Sequence, residues 1–328
     1  MSNKLYLSLW AAIVVLLALA CTLGSTPLPL SSVLAALLGQ GDPLDVAVVW
    51  EVRLPRALAA IVVGSALGGS GAALQGLLRN PLAEPGVLGV SATAALLATF
   101  TIYYGFAIHW QYAVPLAAIA GALIATTLIV FALRRANSIV ALILVGVGLS
   151  SFSAALMSLL LNFAPHPFSL SDMINWTLGS VANRSVDDLL LVLPFLLTGC
   201  IILWRTRAGL AVLTLGEEAA AGVGLNVRQQ RIWVTLGAGI STGAAVALAG
   251  AIGFVGIVAP HLVRPWVNYD AARTLLPSAL LAAALVLAAD ILVRIVPTTT
   301  ELKLGVAAAL FGAPMFVWIA IQRDRHAR

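Results

Sequence analysis

The chain has 328 residues, of which 61% are hydrophobic and 9% charged, with a net charge of +5 and a mean hydropathy of +1.03. Soluble domains carry about a quarter charged residues, so there are too few here to coat a globule, and most of the surface must face lipid. The cysteines, Cys21 and Cys200, lie in apolar runs and read as buried thiols instead of a disulfide framework or metal site, and the basic excess reads as cytoplasmic loops, not nucleic-acid binding.

A lipid-crossing helix needs about 20 apolar residues, and such runs predict about ten spans. The first, Tyr6–Leu23, follows only Lys4 and has no convincing cleavage site, so it reads as a retained helix. Next come Leu54–Leu77, Val87–Gly105, Tyr112–Leu133, Ile139–Leu161, Leu189–Trp204 and Ile232–Ile252. Phe254–Val267 is short and interrupted by Pro260, which suggests a re-entrant segment; Leu275–Ile295 and Leu304–Ile321 follow. The expected fold is all-α: a polytopic membrane protein with a single domain over 1–328 and a polar cytoplasmic loop at about 205–230.

With ten spans and both termini cytoplasmic, thirteen Lys and Arg residues fall on the inner side, including Arg323, Arg325 and Arg328. Only Arg53, Arg56, Arg184, Arg294 and Lys303 fall outside. Arg53, Arg56 and Arg294 each mark a helix end, where they would either snorkel to headgroups or receive an acidic partner. Asp290 is the carboxylate within a span, and an i,i+4 pair with Arg294 would make it tolerable there. Shifting the stretch after Arg53 by 175 residues superposes Arg53 on Arg228, Arg56 on Arg231, Gly64 on Gly239, Gly68 on Gly243, Ala72 on Ala247 and Pro85 on Pro260. The second copy begins five spans later, so it runs the opposite way. An inverted repeat of helices 2–5 on helices 7–10, with halves at about 53–162 and 228–321, is a transporter pattern. Gly64, Gly68 and Gly71 give the second helix a small-residue face for close packing.

The spans offer almost no carboxylates or histidines for ion coupling, which weighs against a gradient-driven secondary transporter, the alternative reading. An intramembrane enzyme would need a nucleophile–base pair; Ser150 and Ser151 have no histidine partner in the spans. No phosphate-binding loop of the form G-x-x-x-x-G-K-[ST] occurs, so this chain has no usual cradle for ATP. The energy would come from a partner, whose seat would be the loop from Trp204 to Arg231, with a short helix over Leu210–Gly222. His166, flanked by Pro165 and Pro167, reads either as exposed or as a contact for a metal chelate, and His261 as structural. Trp176 reads as part of an interfacial helix near the mouth of the cavity.

Several blocks together resemble one family. They are R-L-P-R at 53–56, N-P-L-A-E-P-G-V-L-G-V-S at 80–91, L-G-E-E-A-A at 215–220, G-F-V-G-I-V-A-P-H-L-V-R at 253–264 and G-A-P-M-F at 312–316. From about residue 50 onward the chain is similar to the permease subunits of ABC importers for iron-siderophores, haem and cobalamin. The resemblance implies a homodimer in the bacterial inner membrane, two ATP-binding cassette subunits carrying ATP and Mg, and a periplasmic substrate-binding protein; this chain itself would hold no cofactor. It also implies roles for particular residues. Arg53, Arg56 and Arg294 would dock the binding protein. Leu215, Gly216, Glu217, Glu218, Ala219, Ala220 and Gly224 would form the element coupled to the ATPase. Asn80 and Leu82 would close a cytoplasmic gate, and Met157, Leu160 and Asn162 would line the translocation cavity. Haem, a ferric siderophore and cobalamin remain equally open as cargo.

Overall fold

Hydrocarbon offers no partners to backbone N–H and C=O groups, so a chain this apolar must satisfy them within helices. The computed structural model describes residues 2–24, 26–136, 138–296 and 301–326; Arg328 lies outside them, as do the side chains of Arg323 and Arg325. Among the described residues there are helices and no strands. The first helix, α1 (Ser2–Thr22), is followed by two short ones, α2 (Leu30–Leu37) and α3 (Pro43–Ala47). A π-helical turn over Val48–Arg53 then leads into α4 (Leu54–Leu78). A 3-10 turn at Pro85–Leu88 precedes α5 (Val90–Tyr103), α6 (Phe106–His109), α7 (Ala113–Ala136) and α8 (Ile139–Asn162). The second half holds α9 (Pro167–Thr177), α10 (Val186–Leu213), α11 (Glu217–Gly222), α12 (Val227–Ala249), α13 (Val255–Val263), α14 (Ala271–Ile295) and α15 (Leu304–His326).

Among the described residues, seven segments are long and apolar enough to cross a membrane: α1, α3 through α4, α7, α8, α10, α12 and α14. The predicted third span is shorter than expected. Gly89, at φ +75°, breaks the chain ahead of it, leaving 14 residues in α5, or about 21 Å at 1.5 Å per residue. The predicted eighth span is the nine residues of α13, too short to cross and consistent with a re-entrant segment. The predicted sixth span, Leu189–Trp204, extends at both ends to the 28 residues of α10. A capping box of Ser185 and Asp188 starts it early, and nothing breaks it where the apolar run ends. In consequence Leu210–Leu213, expected in the short loop helix, belongs to α10, and the loop helix is only α11. The break falls at Gly216, where φ is +102°.

The core is one large apolar cluster, in which α4 and α12 are the most enclosed helices, with two smaller clusters beside α1. By contrast α1, α8 and α10 expose most of their surface, as expected of helices facing lipid or another subunit. α4 lies against α14, α12, α10 and α13, while α12 lies against α10, α7 and α4. Backbone meets backbone where α4 crosses α14, and backbone meets the base of a side chain where α12 crosses α7. A Cβ on Gly64 of α4 would fall 2.5 Å from the Ala282 carbonyl oxygen of α14, and one on Gly239 of α12 would fall 2.1 Å from Thr126 Oγ1 of α7. Between α12 and α13 the chain leaves helical form, and the last carbonyl of α12 takes its partner from another segment: Ser180 N donates to Ala249 O at 2.7 Å.

Gly64→Val should lower thermal stability in detergent by more than the ~1–3 kcal/mol typical of overpacking, because the obstacle is backbone that cannot rotate away. Gly148→Ala, whose Cβ would meet nothing within 4 Å in the protomer, should melt like the parent chain in the same thermal-shift measurement.

Candidate functional site

At one end of α4 the three predicted docking arginines line one cleft of about 400 Å³, together with Glu301. The last carbonyls of α1 have no partner within their own helix, and arginines supply it. Arg53 Nη1 donates to Cys21 O at 2.7 Å and Thr22 O at 3.0 Å, its Nη2 donates to Thr26 O, and Arg294 Nη1 donates to Ala20 O at 3.1 Å. Guanidinium at a helix C-terminus also suits the negative end of the helix dipole. Arg53 therefore differs from the expected exposed cation: it is 5% exposed and turned inward onto α1.

Arg56 and Arg294 share Asp290, which is 1% exposed. Arg56 grips the carboxylate with Nε and Nη2 at 3.0 and 2.8 Å from Oδ1. The anticipated pairing of Asp290 with Arg294 is present as an ion pair of 3.0 Å across one helical turn. Arg56 also pairs with Glu301 at the surface. Three guanidiniums against two carboxylates leave the cleft with an excess positive charge, in a position to attract an acidic surface.

The opposite end of α4 stops at Arg79, whose φ of 48° turns the chain. Asn80 is exposed there, and its Oδ1 accepts from Leu82 N at 3.0 Å, an Asx turn that fixes the following residues. Close by is α11, held between Gly216 and Gly224, both at positive φ. Glu217 is tied to the buried Arg231 at 2.6 Å, and Ala220 is fully buried. Glu218 and Ala219 face outward, and Leu215 and Val223 are each 69% exposed. The short helix is thus pinned to the bundle by an ion pair and rimmed by exposed apolar residues.

Between the two ends lies a cavity of about 410 Å³. Met157 of α8 lines it and accepts a hydrogen bond from Thr99 Oγ1 at 3.3 Å. Leu160 and Asn162 lie further along α8, outside this cavity, Asn162 being exposed. Glu84 is a wall residue that sequence reasoning passed over; its place in the break between two apolar runs was the available signal. Trp176 falls on α9 and packs against the core, while His166 is exposed at its start. Cys21 is buried as expected, but Cys200 lies on an exposed face of α10. Among the described residues no three His, Cys, Asp or Glu groups converge as a metal site.

A helical membrane bundle with a charged cleft at one end, a clamped loop helix at the other and a cavity between them has the layout of a transport subunit. The chain belongs to the FecCD transport family, whose model matches residues 12–322, and it is an ABC transporter permease of that type. It is 36% identical to the ABC transporter permease protein YvrB of Bacillus subtilis, over 97% of this chain and 92% of that one. It is 38% identical to the vitamin B12 import system permease BtuC of Klebsiella pneumoniae, over 84% of this chain and 82% of the relative. A solved metal-chelate type ABC transporter in an inward-facing conformation superposes with a TM-score of 0.87 at 30% identity, covering 98% of this chain and all of that one.

Removing the carboxylate of Asp290 leaves two largely buried guanidiniums, 12% and 10% exposed, without the counter-ion they share. Asp290→Ala should destabilise the protein by about 3–5 kcal/mol, read as a fall in melting temperature in detergent. Glu301→Gln, at the exposed edge, should shift it little.

Proposed function

We propose that the chain forms one half of a homodimeric, ATP-driven importer in the bacterial inner membrane, bringing a metal chelate from the periplasm to the cytoplasm. The observation that carries this reading is α11, an outward-facing helix pinned by Glu217 and Arg231 in a chain with no phosphate-binding loop. Such an element fits a separate ATPase, two copies of which would serve the dimer. Arg56 and Arg294, with Arg53 behind them, would receive carboxylates of a soluble binding protein at the other face. Both termini would be cytoplasmic, in keeping with the distribution of Lys and Arg.

The inverted-repeat reading of about ten helices gains support from contacts 175 residues apart. Arg56 and Arg231 each hold a carboxylate, Asp290 and Glu217 respectively, while Arg53 and Arg228 each donate to backbone carbonyls at the end of another helix. Gly64 and Gly239 each admit a close crossing, with α14 and α7 respectively. In the proposed cycle, ATP closes the two ATPases, α11 transmits the motion, and the two copies of α8 swing to open the cavity to the other side. Asn80 and Leu82 would close the cytoplasmic gate, and Met157, Leu160 and Asn162 would face the shared cavity. The chelate would be recognised tightly by the soluble protein and only loosely by this largely apolar path.

The identity to vitamin B12 permeases favours cobalamin or a chelate of similar bulk, with ferric siderophores and haem as the other candidates. Proteoliposomes holding this permease, its cognate ATPase and the binding protein, offered cyanocobalamin, haem and a ferric siderophore in turn, test the proposal. One of the three should accumulate only when ATP is present on the ATPase side. Uptake that ignores ATP and follows an ion gradient would replace the proposal with a secondary carrier.

A further inference from the structure

The re-entrant helix α13 poses a problem of attachment. It begins after a non-helical stretch; Val255 N reaches back to Gly253 O and Ile257 N to Phe254 O, while the N–H of the N-cap residue looks outside the helix for its partner. Its N-cap, Phe254, has a φ of +66°, an uncommon conformation for an aromatic residue, held only where the surroundings demand it. The partner for Phe254 N is the carboxylate of Glu84, whose Oε2 accepts at 3.2 Å across 170 residues of sequence. A negative group at a helix N-terminus also suits the helix dipole. The carboxylate folds back over Gly86, where a Cβ would come within 3.2 Å of Oε1.

Two further contacts tie the same helix to α4. Gln75, 2% exposed, donates from Nε2 to Gly256 O at 3.2 Å, and its Oε1 accepts from Arg264, just past the end of α13. A Cβ on Gly71 would lie 2.0 Å from Gly256 O, so the two backbones touch. α13 is thus laced to α4 and the turn after it at its N-cap, at its second residue and just past its end. One side of this assembly, at Glu84 and Gly256, walls the cavity with Met157. Its other end reaches α11, since the site of a Cβ on Gly216 is 3.8 Å from Arg79 Nη1.

We propose that Glu84 is the positioning residue that makes α13 move as one body with α4, so that displacement of the coupling end is delivered to the cavity wall. This rests on the importer reading for its consequence, but the rigid link itself does not. A carboxylate serving only to cap α13 during folding would affect stability; a link that transmits motion also governs how tightly α13 follows α4.

The test uses the full-length permease in lipid nanodiscs with spin labels at Val52, in the turn leading into α4, and Leu262 on α13, both exposed enough to label. With labelled chain diluted into unlabelled chain so that a dimer carries one labelled copy, the expected result is a single narrow distance distribution for the parent and for Glu84→Gln, which keeps an acceptor oxygen, and a broadened or split one for Glu84→Ala. A distribution in Glu84→Ala as narrow as the parent's would overturn the link. In the complex with ATPase and binding protein, Glu84→Ala should still hydrolyse ATP within about twofold of the parent. Its response to the binding protein should fall at least fivefold, with Glu84→Gln restoring most of it. Parallel loss of hydrolysis and of melting temperature, with an unbroadened distance, would reduce Glu84 to a folding cap. If the parent complex shows no ATP-dependent behaviour, it is the importer reading that fails, and the distance distributions still decide the link.

Discussion

Close approach of helix backbones is the constraint on which the rest of this structure depends. Lipid tails are as apolar as leucine, so burying apolar surface does little to hold one helix against another in a membrane. Close van der Waals contact has to serve instead, and it needs residues without bulk. α4 supplies them toward α14 at Gly64 and Gly68 and toward α13 at Gly71, and α12 does the same toward α7 at Gly239 and Gly243. These crossings make α4 and α12 the inner posts of the bundle and leave α8 and α10 on its outside. The cavity lies where the broken segments after α4 and α12 meet α8.

The few charged and polar groups then take on tasks that packing cannot perform. At one face, Arg53 and Arg294 satisfy the end of α1, and Asp290 holds Arg56 and Arg294 together. At the other, Arg231 fixes α11 through Glu217. In the middle, Glu84 and Gln75 fasten α13. Apart from Asp290–Arg294 and Glu217–Arg231, these join segments distant in sequence, and most lie near a helix end or a break, where backbone groups lack partners. The same positions are those at which motion could enter, pass through and leave the bundle.

Much of this was legible in the sequence because lipid imposes a simple rule on apolar runs. The long helices α1, α4, α7, α8, α12 and α14 fall where hydropathy places them, and the pair Asp290–Arg294 follows from helical spacing alone. Hydropathy misjudged α10 because a helix ends at a backbone signal, not at the last apolar side chain: α10 runs on through Arg205 and Arg207, and Gly216 marks the real limit of the loop helix. The lead-in of α2, α3 and the π-helical turn was also unseen, being too short and mixed for a lipid-crossing pattern. The inward turn of Arg53 and the reach of Glu84 to Phe254 depend on contacts across 32 and 170 residues. No local pattern reports such contacts. The resemblance to a family named the site positions but could not say which side chains were already engaged within the chain.

The central claim is that energy applied at α11 opens the cavity alternately to the two faces through motion of α8. It is tested most directly by distances between the two copies of α8 in the assembled transporter. Spin labels would be placed in separate samples at Leu144, near the start of α8, and at Leu159, near its end, both exposed on the protomer. Between the nucleotide-free and ATP-trapped states, the 144–144 and 159–159 distances should change in opposite senses, one pair closing as the other opens. Distances that stay fixed, or that grow and shrink together, would contradict alternating access through this helix.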